Sequence, residues 1–193
     1  ALGILGINLV HAAYHLADDP KAIIQSLQDG MGADKRIEID LINFSGHGFE
    51  TVENRLMNLH LIRSWHCRAV MFDKEGLSIV PASALRKSDP IVIRGSFKPP
   101  TKVHMDMKAA AIKQFSVEDS VDKSNVLVVA EITMNELSGT GTDADSDFLA
   151  RVDLLNDLGF SVLISDYLRF FRLRSWIRRY TPNRIGIMLS VLD

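Results

Sequence analysis

The sequence predicts an α/β protein with an open, mostly parallel sheet of about seven strands and helices on both faces. Apolar runs rich in Val, Ile and Leu alternate with helix-like segments, which is typical of strand–helix–strand units. Several runs are continuously apolar, as expected for parallel strands buried on both faces. The 193 residues fit a single α/β domain over 1–193, as a portion of a longer chain. Part of a βα barrel is the alternative.

Seven apolar runs are predicted to be strands. In chain order they are 3–10, 36–44, 69–72, 91–94, 125–133, 161–165 and 185–191. Five of them end in short polar signatures that contain His11, His47, Arg94, Glu131 and Asp166. Because parallel strands bring their carboxyl ends to one edge, we expect these signatures on a single rim. Open α/β sheets and α/β barrels bind ligands at that rim.

Helices are predicted at 11–16, 20–30, 50–65, 103–115, 146–158 and 166–180. Pro20 suits the first turn of its helix, and Asp19 suits the capping position before it. Gly30 and Gly159 stand where a glycine commonly ends a helix. The stretch 73–87 lacks helical periodicity and is predicted to form a hairpin or an irregular excursion.

Composition and charge limit the classes of function. The formal net charge of −2 provides no basic field, so no specific nucleic-acid partner is predicted. The apolar runs are too short to span a bilayer, so we expect a soluble protein that is not transmembrane. Cys67 is the only cysteine and cannot form an internal disulfide, which favours a reducing intracellular or organellar compartment.

The turn Ser45-Gly46-His47-Gly48 lies between a predicted strand and a predicted helix. Glycines there let backbone N–H groups approach an anion, and a helix that begins near Glu50 would add a favourable dipole. Ser45 is therefore a candidate ligand-binding residue, and His47 is a candidate catalytic acid or base. The alternative is an ordinary tight turn, because no complete phosphate-binding glycine motif is present.

Arg94 and Ser96 follow another predicted strand, and Asn135 follows the next one. The guanidinium of Arg94 offers two parallel donors that match a phosphate or a carboxylate. We therefore predict all three residues as ligand contacts. The alternative is that Arg94 pairs with Glu131 or Asp166 across the rim.

Glu131 lies within an otherwise apolar run, where a carboxylate is costly unless it is paired. It is the best single candidate for a general base. A structural ion pair with Arg94 is an equally weighted alternative. Asp166 follows a predicted strand and is expected to cap the next helix.

His11 and His15 are spaced to share one helical face, which Asp18 could extend. Two imidazoles and a carboxylate can hold zinc or iron, but this spacing is common by chance. We therefore predict no metal site, and the sequence names no cofactor.

The segment 166–180 carries arginines among aromatic side chains and has two apolar faces in a helical projection. One face comprises Phe170, Leu173, Ile177 and Tyr180, and the other comprises Tyr167, Leu168 and Phe171. A surface helix of a monomer needs only one apolar face. The second face is therefore predicted to contact another domain, copy or subunit through Leu168, Phe171, Arg172 and Arg179. The arginines flank both faces, which argues against a membrane helix.

Four stretches resemble uncharacterised proteins found mainly in cyanobacteria and other bacteria, some of which carry the label nicotinate-nucleotide adenylyltransferase. These stretches are Ile4-Leu5-Gly6-Ile7-Asn8-Leu9-Val10-His11-Ala12, Asn54-Arg55-Leu56-Met57, Arg94-Gly95-Ser96-Phe97 and Arg178-Arg179-Tyr180-Thr181. The resemblance implies one portion of a longer α/β protein. The label implies a His-x-Gly-His nucleotide motif, from which Ser45-Gly46-His47-Gly48 departs, so the activity is not carried over.

Two functions remain open at this point. The first is an α/β domain that binds an anionic small molecule, either a phosphorylated metabolite or a nucleotide, at the strand rim. Its reaction is unassigned, and the sequence does not decide whether it is an enzyme. The second is a non-catalytic subunit or scaffold domain of a larger assembly, which the two-faced segment and the lack of a complete catalytic motif favour.

Overall fold

The computed structural model describes residues 1–32, 37–118, 121–137, 139 and 141–189. Contacts divide the chain into two compact units, Ala1–Val70 and Met71–Asp193. This division does not test whether residues 1–193 form one α/β domain, which stays a prediction. Among the described residues, no helix is both long enough and apolar enough to cross a membrane.

The described residues of the first unit form the α-helices α1 (Leu2–His15), α2 (Pro20–Ser26) and α3 (Asn54–Arg63). The predicted start of α2 is confirmed, because the Asp19 carboxylate accepts hydrogen bonds from the N–H groups of Lys21 and Ala22. Helix α3 begins four residues later than the predicted start at Glu50. It is capped by Glu53, whose carboxylate accepts from the N–H of Arg55.

The prediction of a strand over 3–10 is wrong, because these residues belong to α1. A short, continuously apolar run fits a strand or a helix equally well, and Gly3 and Gly6 disfavour a helix by propensity alone. Tertiary contacts decide the outcome. Asn8 Nδ2 donates to the carbonyls of Leu27 (3.0 Å) and Asp29 (2.9 Å), which ties α1 to the end of α2.

The prediction of a strand over 36–44 is also wrong for its described part, since 37–44 is extended but pairs with no strand. Two asparagines of α3 take the place of a neighbouring strand. The Asn58 side chain exchanges hydrogen bonds with the backbone N–H and carbonyl of Ile42, at 3.1 and 2.8 Å. The Asn54 side chain does the same with Phe44, at 2.7 and 3.0 Å. Residue 36 lies outside the described residues.

A mixed, mostly parallel sheet of six strands, rather than about seven, forms the centre of the fold. The strands are β1 (Ala69–Phe72), β2 (Ser78–Ile79), β3 (Asp89–Arg94), β4 (Val126–Thr133), β5 (Ser161–Ser165) and β6 (Gly186–Met188). Their order is β2-β1-β5-β4-β3-β6. Strands β5, β4, β3 and β6 pair in parallel, and β1 pairs with β2 in antiparallel fashion. In the described part of the chain the sheet is open, with edges at β2 and β6.

In its described ranges, the second unit also has four α-helices and two short 3-10 helices. They are α4 (Pro81–Leu85), α5 (Lys102–Phe115), α6 (Thr142–Asp157), α7 (Phe170–Ile177), and the 3-10 segments Lys123–Asn125 and Met134–Leu137. The predicted hairpin after β1 is confirmed by β2, and α4 follows it. Gly159 adopts a φ of +73° just beyond α6, as expected for a glycine that ends a helix.

The expectation that Asp166 caps the last helix is wrong. Helix α7 begins only at Phe170, and Arg169 occupies the capping position without a side-chain cap. The loop 166–169 is instead extended across the end of β5. Helix α7 turns Leu173, Trp176 and Ile177 into the core.

Candidate functional site

Arg94 and Glu131 meet at the carboxyl ends of β3 and β4, where the parallel register places them opposite each other. Arg94 Nε lies 2.5 Å from Glu131 Oε2, and Arg94 Nη2 lies 2.8 Å from Oε1. Ser165 Oγ, at the end of β5, donates to the same Oε1 at 2.5 Å. The Glu131 side chain is 0% exposed and that of Arg94 is 16% exposed. The ion pair between Arg94 and Glu131, one of the two interpretations of Glu131, is therefore present. The role of Glu131 as a general base stays a prediction.

The remaining donors of Arg94 hold the loop that follows β5. Nη1 donates to the Leu168 carbonyl at 2.9 Å, and Nη2 donates to the Tyr167 carbonyl at 2.7 Å. The ring of Phe170 lies 4.1 Å from the guanidinium carbon, within cation–π range. Four of the five N–H groups of a guanidinium are therefore engaged. Arg94 joins β3, β4 and the β5 loop and presents no open pair of donors.

A second arginine, Arg151, performs a similar task on the neighbouring loops. Its Nη1 donates to the carbonyls of Ser96 (3.2 Å) and Glu136 (3.1 Å), and its Nη2 pairs with Asp147. The hydrogen bond from Arg151 holds the pKa of Asp147 below its usual value. Sequence reasoning did not single out Arg151, although it shares the inward-facing helical stripe of Phe148, Val152 and Leu155.

The other predicted rim residues occupy different settings. Ser96 and Asn135 are exposed, the first in the loop after β3 and the second in the 3-10 segment after β4. Their side chains remain predicted ligand contacts. The backbone carbonyl of Ser96, rather than its side chain, contacts Arg151.

Ser45 and His47 lie in the first unit, in a loop that follows the extended segment 37–44. Because that segment is not a strand of the sheet, Ser45 and His47 do not follow the end of a parallel strand, as the rim prediction required. The His47 side chain is fully exposed, and its Nδ1 lies 3.5 Å from Glu50 Oε1. Since α3 begins only at Asn54, no helix start at Glu50 adds a dipole to this loop. Their predicted ligand and catalytic roles stay predictions.

The paired histidines of the first unit also lie close together. The rings of His11 and His15 in α1 are 4.5 Å apart, centre to centre. Within the ranges that the structure describes, no group of three or more His, Cys, Asp or Glu residues is arranged to hold a metal ion.

The second unit has a cavity that sequence reasoning did not predict, with a volume of about 470 Å³. It lies along the edge strand β6 and the two residues before it, Arg184 and Ile185. We call it the arginine cavity, because three arginines line it together with one carboxylate and several apolar residues. The lining residues used below are Arg174, Arg178, Arg184, Glu118, Gln114, Phe115, Ile91, Ile187 and Met188.

The three arginines of the cavity differ in how far they are already engaged. Arg178 Nη1 donates to the carbonyls of Thr181, Pro182 and Asn183 at 3.3, 2.6 and 2.7 Å. Arg184 Nη1 lies 2.7 Å from Glu118 Oε2, in a pair whose side chains are 55% and 50% exposed.

Arg174, in the last turn of α7, is the least engaged of the three. Its guanidinium makes no hydrogen bond or ion pair with the described residues. The signal available in the sequence was the set of arginines around 168–180, which we assigned only to the flanks of helix faces.

The predicted second apolar face of 166–180 is present in part. Leu168 and Phe171 are 63% and 59% exposed, and Arg172 and Arg179 are also exposed. Tyr167 does not belong to this face, since it is buried and its ring lies 6.1 Å from that of Trp176. It points inward because the loop before α7 is extended rather than helical. The roles of the exposed residues in an interface stay predictions.

Comparisons with known proteins identify nothing similar: no family model, no curated protein and no solved structure matches this chain. The resemblance to cyanobacterial proteins therefore stays a prediction. The functional argument rests on the geometry alone.

Proposed function

We propose that the second unit binds an anionic small molecule, and that it does so in the arginine cavity rather than at the strand rim. One observation carries the proposal: three guanidinium groups line a single cavity of about 470 Å³ that contains one carboxylate. Arginine is the side chain best suited to bind phosphate and carboxylate groups, because its planar fork makes two parallel hydrogen bonds to them.

The rim is a weaker candidate because its arginines are already committed. Arg94 is bound to Glu131 and to two backbone carbonyls. Arg151 is bound to Asp147 and to two other backbone carbonyls, those of Ser96 and Glu136. A ligand would have to break these internal contacts before it gained its own. In the cavity, Arg174 has donors that it can offer directly.

The charge balance of the cavity favours an anion. Three arginines and Glu118 leave two positive charges in excess among the lining residues. The pair between Arg184 and Glu118 is exposed, and such pairs contribute at most about 1 kcal/mol. A phosphate or carboxylate can therefore displace Glu118 from Arg184 at little expense.

The topology gives such a ligand access from the edge of the sheet. The chain moves from β3 to β4 in one direction along the sheet and from β5 back to β6 in the other. Right-handed crossovers would place α5 and α7 on opposite faces. A cavity lined by both helices and by β6 would then open beside the edge strand, where no further strand covers it in the described residues.

We assign binding rather than a reaction to this cavity. Its lining includes one carboxylate, three guanidinium groups and one amide, but no hydroxyl, thiol or imidazole side chain. Nothing in the described lining can therefore act as a side-chain nucleophile of the serine, cysteine or histidine type.

Isothermal titration calorimetry with pyrophosphate, adenosine monophosphate and citrate tests the proposal. Arg174→Gln should weaken binding about tenfold or more, because a hydrogen bond to a charged group contributes roughly 1.5–3 kcal/mol. Arg172→Gln is the matched control, since Arg172 lies on the same helix and is exposed but does not line the cavity. The proposal is wrong if no probe binds at millimolar concentration, or if both variants weaken binding equally.

The exposed pair Leu168 and Phe171 favours a second function, that of a non-catalytic subunit which associates with another copy of the chain. Large apolar side chains that are exposed close together in the chain are candidates for an interface. Sedimentation velocity at increasing concentration should show self-association that Phe171→Asp abolishes. Leu77→Asp is the control, because Leu77 is 64% exposed elsewhere in the same unit. A wild-type chain that remains monomeric, or a Phe171→Asp variant that still associates, would contradict this function.

A further inference from the structure

The arginine cavity has an apolar side as well as a charged one. Ile91 of β3, Ile187 and Met188 of β6 and Phe115 of α5 line it together with the arginines. The ring of Phe115 packs on the backbone of β6, since a Cβ added to Gly186 would lie 3.2 Å from two ring carbons. The absence of a side chain at position 186 thus lets an aromatic wall lie flat against the edge strand.

We infer that the ligand is a free amphiphilic anion, with a phosphate or carboxylate head joined to an apolar alkyl or aryl body. This inference rests on the proposed function and specifies the class of molecule that the same cavity binds. The head contacts Arg174 and Arg184, and the body lies against Phe115 and Met188, because Met188 shares the face of β6 on which Phe115 packs over Gly186.

The size of the cavity leaves room for more than a head group. One water molecule takes roughly 30 Å³ in the liquid, so a phosphate of five heavy atoms occupies on the order of 100 Å³. The cavity measures about 470 Å³, which leaves most of its volume for another part of the ligand. Cavities of a few hundred Å³ typically enclose whole small molecules.

The chemistry of the lining favours an apolar body over a nucleoside. Apart from its charged groups, the cavity has one side chain with a hydrogen-bonding group, the Gln114 amide. A base and a ribose present several donors and acceptors, and leaving these unpaired on burial is costly. An alkyl or aryl body has no such groups and gains free energy from the contact with Phe115 and Met188.

Titration calorimetry with inorganic phosphate, butyl phosphate, hexyl phosphate and hexanol tests the inference. A buried methylene raises affinity by up to about fourfold, so hexyl phosphate should bind roughly tenfold more tightly than butyl phosphate. Inorganic phosphate should bind more weakly than either ester. Hexanol should not bind measurably, because it lacks the anionic head.

Two variants of neighbouring residues identify the wall that the body contacts. Met188→Gln should remove most of the gain in affinity with chain length. Leu189→Gln should retain the gain, because Leu189 is exposed and does not line the cavity. Circular dichroism confirms that both variants fold as the wild-type chain does.

The outcomes separate this inference from the proposed function. If all phosphates bind equally and Arg174→Gln weakens all of them, the cavity binds anions but the inference of an apolar body is wrong. If no phosphate binds, both proposals are wrong. If hexanol binds as well as hexyl phosphate, the anionic head is not recognised, and both are again contradicted. Cosedimentation with phosphatidylcholine vesicles only when they contain phosphatidic acid would identify a membrane lipid as the source and contradict a free ligand.

Discussion

Replacing Arg94 with methionine should destabilise the second unit more than any other single change of a charged residue described above. Methionine keeps much of the length and apolar volume of the arginine stem but removes the guanidinium. Glu131 then remains fully buried, with the Ser165 hydroxyl as its one side-chain donor among the contacts described. The carbonyls of Tyr167 and Leu168 also lose their donor.

The magnitude follows from these contacts. Removing one partner of a buried ion pair lowers stability by about 3–5 kcal/mol, because an uncompensated charge is left inside the protein. Tyr167 is buried, so its orphaned carbonyl adds about 1 kcal/mol, whereas the carbonyl of exposed Leu168 can bind water. The lost contact with the Phe170 ring adds roughly 0.5–1 kcal/mol. Together these contributions predict that Arg94→Met lowers the free energy of unfolding by about 4.5–7 kcal/mol.

Urea unfolding followed by tryptophan fluorescence measures this change, because Trp176 is buried in the same unit as Arg94. Arg184→Met is the matched control. It breaks an ion pair between half-exposed side chains and should lower stability by at most about 1 kcal/mol. The double variant Arg94→Met/Glu131→Leu removes both charges and should be more stable than Arg94→Met alone.

Two results would refute this reasoning. The first is an Arg94→Met variant that is no less stable than Arg184→Met, which would mean that solvent reaches the pair and screens it. The second is a double variant that is less stable than Arg94→Met. In that case the buried carboxylate would not be the source of the destabilisation.

Three further predictions concern other parts of the chain. Burial raises the pKa of the Cys67 thiol to about 12. At about pH 8 a disulfide reagent should therefore label Cys67 about a hundredfold more slowly in the folded chain than in the unfolded chain. Equal labelling rates would contradict the burial of Cys67. Because Arg151 lowers the pKa of Asp147 in the folded state, this carboxylate stabilises the fold above its unfolded pKa, and the contribution is lost as the pH falls through the lower, folded pKa. Between about pH 5 and pH 2, Arg151→Met should lose less stability with falling pH than the wild-type chain does. The difference should be less than about 1 kcal/mol, because Asp147 is half-exposed. The same dependence of the free energy of unfolding on pH in both chains would argue against the pair. Gly186→Ala should lower the free energy of unfolding by about 1–3 kcal/mol, since its Cβ would lie 3.2 Å from the Phe115 ring, and unchanged urea unfolding would show that the ring moves freely.

The parallel core was predictable from the sequence because burial on both faces leaves a clear pattern. Runs such as 125–133 and 161–165 are too apolar and too short to be ordinary amphipathic helices, and they form β4 and β5. The same reasoning failed at 3–10, which is as apolar but has no strand beside it. A mostly apolar run of eight residues does not specify its partners, and partners decide between helix and strand.

The extended segment 37–44 shows a second limit of pattern reasoning. Its backbone groups require hydrogen bonds, and a strand is the usual way to supply them. Asn54 and Asn58 supply them here from the side of α3. Two asparagines four residues apart on a helix are unremarkable in a sequence until the segment that they bind is known.

The same difficulty affects the arginines, and it accounts for the change in the proposed site. In the sequence, Arg94 at the end of a strand looks like a ligand-binding residue, and Arg174 within a basic helix looks like a solvated flank. The structure reverses their availability, because Arg94 is nearly buried and donates four hydrogen bonds to internal acceptors, whereas Arg174 faces a cavity without such a bond in the described residues. An arginine binds a ligand only with donors that the fold leaves open, and the donors of Arg174 lie in the cavity beside β6.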